Sequence, residues 1–291
     1  MTEVRPAEQA LRLPSRLFPQ LEPLGEADQR QLECLRDQIR RLGRVCVAYS
    51  GGVDSALVAA IAQEQLGADA LAITGVSPAL APHLLQEARL QAAWLGIQHK
   101  EVRTQELADP DYSNNPTDRC YACKRELHHH LGPLAANADG AQVIDGVNAD
   151  DLSDHRPGIR AAQEAGVCSP LADLGISKAQ VRAFSKALGF PWWDKPAQPC
   201  LASRFPYGEV ISAERLNRVA QAEAWLIERG FSDVRVRSQG LSARIEVPAN
   251  RIADLALHNE RETLVETFLA LGFTAVSLDL EGLISGKLNR G

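Results

Sequence analysis

Six consecutive residues, Ser50-Gly51-Gly52-Val53-Asp54-Ser55, link a short apolar run to a helix-forming one. Two adjacent glycines let the backbone turn tightly and present several N–H groups at a helix amino end, where they can cradle phosphate. The hydroxyls of Ser50 and Ser55 add donors. No Gly-Lys-Ser/Thr follows, so this is not the lysine-bearing loop that grips a terminal phosphate in Walker-type sites. A carboxylate at Asp54 would repel a phosphate by itself. It is sensible as a Mg²⁺ partner or as a group that positions the loop. The bland alternative is an ordinary Gly-Gly turn between strand and helix.

Sulfur is the second chemical resource. The chain has six cysteines, Cys34, Cys46, Cys120, Cys123, Cys168 and Cys200, too few and too unevenly spaced for a disulfide framework. Cys46 lies in the apolar run Val45–Tyr49 and Cys34 in an amphipathic helical pattern, so both read as small hydrophobes. Cys120 and Cys123 share one helix face and can bind one centre. Such a pair serves equally as a redox dithiol, as half a zinc site with His128, His129 or His130 nearby, or as part of a metal cluster. The three histidines read more simply as a solvated helix face. Cys200 sits in a proline-rich segment with Arg204 four residues on, a cation that can favour a thiolate or hold a phosphate.

The elements that must position these residues alternate. A helix at about 29–42 leads into a strand at 44–49, the loop at 50–55 and a second helix. Strands at 71–76 and near Ile97–Thr104 flank a long helical pattern, another helix begins near Cys120, and a fourth strand ends at Asn148. That alternation implies a doubly wound parallel α/β sheet with ligands at its carboxyl edge. From about residue 209 an α-β-β-α-β order, with Gln239-Gly240 as a hairpin turn, implies a small α+β unit. The division expected is 1–208 and 209–291, with the proline-rich stretch from Phe190 to Tyr207 as hinge. In the second unit Arg235 and Arg237 alternate on one strand and point to one face. Two guanidinium groups side by side suit a phosphate, and the alternative is a solvated face paired with Glu246. Trp192-Trp193 can stack on an aromatic ligand, although packing is the commoner use.

Composition bounds the rest. The 291 residues are 45% hydrophobic and 23% charged, ordinary globular usage. With 31 Lys and Arg against 37 Asp and Glu, the net charge of −6 argues against nucleic-acid and anionic-membrane partners. The amino-terminal stretch carries charge and proline with no apolar core, and no run approaches the ~18 apolar residues of a membrane span. A cytoplasmic location is expected.

Ser50–Ser55 resembles the motif of the PP-loop ATP pyrophosphatases, which cleave ATP to AMP and pyrophosphate while adenylating a substrate. Asp145–Asp151 resembles a second segment of that superfamily, which places Asn148 and Asp150 near the nucleotide; a plain polar loop is the alternative. Asp118–Lys124, Pro199–Glu209, and Leu280-Glu281-Gly282 with Gly286–Asn289 resemble the LarE family of sulfur transferases across nearly the whole chain. That resemblance implies adenylation of pyridinium-3,5-biscarboxylic acid mononucleotide and its conversion to thiocarboxylates for the nickel-pincer nucleotide cofactor, with ATP and Mg²⁺. Adenylation gives a carboxylate a leaving group that a sulfur nucleophile can displace.

The family has two versions. In one, a cysteine at the Cys200 position gives up its own sulfur; in the other, a Cys-x-x-Cys pair joins it as ligands of a [4Fe-4S] cluster. The presence of Cys120 and Cys123 with Cys200 implies the cluster version, which leaves one iron open to added sulfide. Arg204, Arg235 and Arg237 are expected as substrate-phosphate contacts and Asp54 as a metal contact; the resemblance adds Glu223 and Asp254 as metal contacts near these arginines, and a sulfide donor and a homo-oligomer are expected as partners. Two other classes remain open: another PP-loop enzyme, either an amide-forming ligase or a tRNA thiolase, and a non-enzymatic ATP sensor or iron–sulfur carrier.

Overall fold

Short apolar runs ended by glycine or a polar residue become the parallel sheet. The computed structural model describes residues 18–153, 156–284 and 287. Its first part runs α1 (Glu26–Leu42), β1 (Val45–Ala48), α2 (Val53–Leu66), β2 (Ala70–Val76), α3 (Pro82–Leu95), β3 (Gln98–Arg103), α4 (Pro110–Ser113), α5 (Arg119–Asn137) and β4 (Gln142–Ile144). It continues with α6 (Pro157–Glu164), α7 (Pro170–Asp173) and α8 (Lys178–Ala187). The four strands pair in parallel in the order β3-β2-β1-β4, with Val45 opposite both Ala70 and Gln142.

Alternation along each strand divides the core in two. Val45, Val47, Ala70, Ala72 and Ile144 pack with α1, α2, α3 and α8, whereas Cys46, Ile73 and Val143 face Leu131 and Ala135 of α5. Helix α2 is buried nearly all round, from Val53 through Glu64. Its alanine-rich face lets α1, α3 and α8 approach closely. The sheet is therefore covered on both faces, as expected.

The second part comprises α9 (Ala213–Glu228), β5 (Arg235–Gln239), β6 (Ser242–Glu246), α10 (Ile252–Ala256), α11 (Arg261–Ala270) and β7 (Ala275–Leu278). Its sheet is mixed, with β5 antiparallel and β7 parallel to β6. The core beneath it draws Leu216, Val219, Val236 and Phe268 together with Ala79, Tyr112, Ala122, Leu201 and Phe205 from the first part of the chain. The segment expected as a hinge is thus packed over its second half. Leu201–Arg204 forms a 3-10 turn, and the Leu201 N–H donates to the Ala79 carbonyl at 2.9 Å. Trp192 packs with Trp94 and Phe190 rather than facing a ligand.

The proline-rich leader through residue 17 and most of the Gly286–Asn289 tail lie outside the described residues. Lys287 is described, and its ammonium pairs with Asp279 at 2.8 Å.

Candidate active site

The loop 50–55 joins β1 to α2 at the carboxyl edge of the sheet. Gly51 has φ +70°, and a Cβ there would stand 3.0 Å from the Ala88 side chain on α3. Glycine is needed for both reasons. The Ser50 and Ser55 hydroxyls lie 3.0 Å apart, and the Gly52 N–H donates to the Ser50 hydroxyl at 3.3 Å. Gly52 caps α2, whose first N–H groups have no intrahelical acceptor. This is the geometry of an anion cradle.

Asp54, in the first turn of α2, has both carboxylate oxygens engaged. Asn148 donates its side-chain N–H to Oδ1 at 3.1 Å, and the Lys178 ammonium closes on Oδ2. The Asn148 side-chain carbonyl in turn accepts the Asp150 backbone N–H at 3.0 Å, and the Asp150 carboxylate accepts the Lys178 backbone N–H at 2.9 Å. Asn148 and Asp150 are therefore brought to the loop. Gly146 makes this possible: a Cβ there would lie 2.6 Å from the Ser55 backbone nitrogen, so only glycine lets the segment after β4 lie against α2. Burial raises the carboxyl of Asp145 beside it.

Lys178 of this arrangement, and His83 near the arginines described below, carried no motif. Lys178 starts α8 just after Ser177, whose capping box with Gln180 was its only local signal. His83, in the first turn of α3, lies in the field of Glu87, Glu223, Lys195 and Arg204, and burial lowers its ring below the usual histidine value.

The sulfur residues gather at the start of α5. Cys120 and Cys123 occupy its first turn, and Cys200 immediately precedes the 3-10 turn that packs there. Desolvation raises the Cys120 thiol, and the neighbouring Cys200 raises it further. Cys123 is pushed up to about 12, first by burial and then by Cys200 and Glu106. Gly158 on α6 keeps this wall close, since a Cβ there would meet Lys124 at 2.9 Å and the Cys120 carbonyl at 3.3 Å. Three thiols lie in one another's field, and a bound metal would ionise such thiols outright. The side chains do not stand in ligating array, for among the described residues no three His, Cys, Asp or Glu groups form a cation-holding set. His128, expected on a solvated face, is instead buried, and among the described residues neither ring nitrogen has a hydrogen-bond partner.

The arginines form a third group. Arg204 is buried and makes two bonds to Glu223, at 2.8 and 3.0 Å, while Nη1 donates to the Pro199 carbonyl at 2.9 Å. Glu223 also accepts the Val236 N–H at 2.8 Å. Arg204 and Glu223 thus shape the turn behind Cys200. Arg237 pairs with Glu246 at 3.0 Å and donates to the Ser203 carbonyl at 2.6 Å. Arg235 is also buried, so the strand face is not solvated. No carboxylate among the described residues pairs with it, and burial followed by Arg204 and Arg237 lowers its guanidinium. Asp254 lies on exposed α10 and pairs with Arg251 at 2.8 Å.

Comparison with known proteins follows the same pattern. The sequence profile of the asparagine synthase family matches residues 28–115, the stretch that holds the loop. An uncharacterized protein of Synechocystis sp. is 55% identical over 89% of this chain and 97% of its own length. The pyridinium-3,5-bisthiocarboxylic acid mononucleotide synthase of Lactiplantibacillus plantarum is 37% identical over 86% of this chain and 91% of its own. An uncharacterized protein of Methanocaldococcus jannaschii is 30% identical over 82% and 90%.

Proposed function

The chain belongs to the LarE family of ATP-dependent sulfur transferases, and from that premise we propose that it makes pyridinium-3,5-bisthiocarboxylic acid mononucleotide for a nickel-pincer cofactor. ATP adenylates a carboxylate of the pyridinium mononucleotide and pyrophosphate leaves. Sulfur then displaces AMP, so a C–S bond replaces the C–O bond to the adenylate.

The observation that carries this reading is the link between sulfur and arginines. Arg237 bonds the Ser203 carbonyl and Arg204 bonds the Pro199 carbonyl, so the arginine cluster is built onto the turn that bears Cys200. A buried Arg235 without an ion pair among the described residues needs an anion, and the phosphate of a mononucleotide supplies one. Ser50–Ser55 hold the ATP phosphates, with Asp54, Asn148, Asp150 and Lys178 fixing the loop and its Mg²⁺. Residues 1–208 would then serve ATP and sulfur, and 209–291 the substrate phosphate.

Cys120, Cys123 and Cys200 are assigned to a [4Fe-4S] cluster, which when bound supplies an iron free of protein ligands where sulfide can attach. Glu223 and Asp254 retain only a proposed metal role, since each is already engaged by an arginine. Among the described residues no helix is long and apolar enough to cross a membrane, and a cytoplasmic site of action is proposed. A homo-oligomer is proposed as well.

The test is pyrophosphate release from ATP under anaerobic conditions. Release is expected only when the pyridinium dicarboxylate mononucleotide is present, with mass spectrometry finding its thiocarboxylate. Equal release with ammonia and an amide product, or with tRNA, would make this a different PP-loop enzyme. No release with any acceptor would leave an ATP sensor.

A further inference from the structure

Four charged side chains share one face of the small sheet. Arg235 and Arg237 alternate on β5, and Arg244 and Glu246 on β6, with Arg235 opposite Glu246 and Arg237 opposite Arg244. Two arginines directly opposite each other repel, so a carboxylate must stand between them. Glu246 does this. Its side chain is fully buried, and Oε2 accepts from Arg237 Nε at 3.0 Å. Oε1 has no hydrogen-bond partner among the described residues. Arg244 Nη2 stands 3.6 Å from it, just beyond hydrogen-bond reach.

A second carboxylate holds Arg244 at that distance. Its Nε meets Asp279, which follows β7, at 3.2 Å. Asp279 does not depend on Arg244, because the Lys287 ammonium reaches it at 2.8 Å. The Arg244 side chain is 47% exposed and has room to swing, whereas that of Arg237 is 7% exposed. Lys287 belongs to the tail motif Gly286–Asn289, for which the ATP and sulfur sites have no use.

Arg237 cannot simply turn to a phosphate. It is committed to Glu246, and its departure would strand a buried carboxylate. Arg244 prevents that, since closing from 3.6 Å to about 2.9 Å makes a hydrogen bond to the vacant Oε1. Asp279 then stays paired with Lys287, so each carboxylate keeps a cation throughout.

We propose that Arg244 is a positioning residue for the substrate phosphate: it takes over Glu246 as Arg237 turns to the ligand, while Lys287 keeps Asp279 neutralised. This rests on the assignment of Arg235 and Arg237 to the substrate phosphate, and names the residues that free Arg237 for it.

The test is calorimetric titration of the full chain with two ligands, the pyridinium dicarboxylate mononucleotide and the nucleoside that lacks its phosphate. The ratio of the two affinities reports the phosphate contact. In the parent chain it should be at least about a hundredfold, the scale of two charge-assisted contacts. Arg244→Gln should cut it about tenfold, by weakening the mononucleotide and leaving the nucleoside unchanged. Arg244→Lys should recover most of the loss. Lys287→Gln should lower the ratio in the same direction, because Asp279 then keeps Arg244. Neither glutamine variant strands a carboxylate, so both should unfold at the parent's temperature. An unchanged ratio in Arg244→Gln overturns the proposal. Equal weakening of both ligands does so too, and marks Arg244 as merely structural. A parent chain that binds the two ligands equally, or binds neither, refutes the phosphate assignment itself and the exchange with it.

Discussion

Lys178 reaches back across 124 residues to place its ammonium on the carboxylate of Asp54, at the mouth of the phosphate loop. An ion pair this close to an anion cradle is a switchable contact. When ATP arrives, the lysine can turn to phosphate and the carboxylate to Mg²⁺, so the charges that neutralise each other beside the loop become those that hold its ligand. Both side chains are partly exposed, so the pair adds little to stability. Lys178→Gln is therefore expected to slow AMP and pyrophosphate formation by roughly 10²–10³-fold, the scale of removing one preorganised charge. Asp54→Ala should abolish it. Thermal unfolding of both variants should match the parent chain, and an unchanged turnover rate in either would remove that residue from the mechanism.

Gly146 and Gly132 separate close approach from helix propensity. A methyl group at 146 would meet the Ser55 backbone nitrogen at 2.6 Å and the Asp54 carbonyl carbon at 2.9 Å, whereas one at 132 on α5 meets nothing within 4 Å. Gly146→Ala should cost about 1–3 kcal/mol, as overpacking does, and weaken ATP binding because the loop must move. Gly132→Ala should be nearly neutral. Its gain of about 1 kcal/mol in helix propensity is offset by the crowding that Pro133 imposes on the residue before it. Urea unfolding and ATP titration calorimetry read both. Equal effects would mean that the segment after β4 does not need to close on α2.

Arg235 and Arg204 are both buried, yet they should fail differently. Arg235 has no ion pair among the described residues, so Arg235→Ala should weaken binding of the mononucleotide by about 1.5–3 kcal/mol and leave stability intact. Arg204→Ala strands the buried carboxylate of Glu223 and should destabilise the fold by about 3–5 kcal/mol. Calorimetric titration with substrate and thermal unfolding separate the two roles. A strongly destabilised Arg235→Ala would mark that arginine as structural.

The contrast between these arginines also shows what was legible in the chain. The parallel sheet and its loop could be read locally, because buried parallel strands are short apolar runs and a Gly-Gly turn follows β1 directly. Arg235 and Arg237 could be placed on one face by strand alternation, but not sorted, since the partners that distinguish them, Glu246 and Ser203, come from other elements. Lys178 was invisible because its contact depends on how α8 packs on α2, and no local pattern encodes that. His128 misled because a run of three histidines looks uniformly polar, while a helix turns by about 100° per residue and buries one of the three.

That histidine gives a pH dependence. Burial holds His128 at about 4, below its ordinary 6.5, and Lys124 nearby opposes its charge further. The folded-state pKa is depressed, so between those two values the unfolded chain binds a proton that the folded chain refuses. Stability is therefore complete above about pH 6.5 and falls as pH drops toward 4, by up to about 3 kcal/mol from this group. Urea unfolding from pH 4.5 to 7.5 should show that slope, and His128→Leu should flatten part of it. A variant with the parent's full slope would assign the acid sensitivity elsewhere.

Two ways of handling sulfur leave different chemistry at Cys200. If Cys200 surrendered its own sulfur, one thiol would suffice, and the burial of Cys123 next to it would only raise that thiol to about 12 and keep it inert. Three thiols in one another's field make sense when metal ionises them together. Anaerobically reconstituted protein is therefore expected to bind close to one [4Fe-4S] cluster per chain, and replacing Cys120, Cys123 or Cys200 by Ala should each abolish it. Iron and sulfide assays, with the visible and electron paramagnetic resonance spectra, give the loading. Mass spectrometry after turnover should find Cys200 unchanged. Dehydroalanine at position 200 in cluster-loaded protein would rule the cluster route out, and so would full turnover in a Cys120→Ala/Cys123→Ala double variant. Exposure to air should inactivate the loaded enzyme, because an iron without a protein ligand is the first point that oxygen reaches.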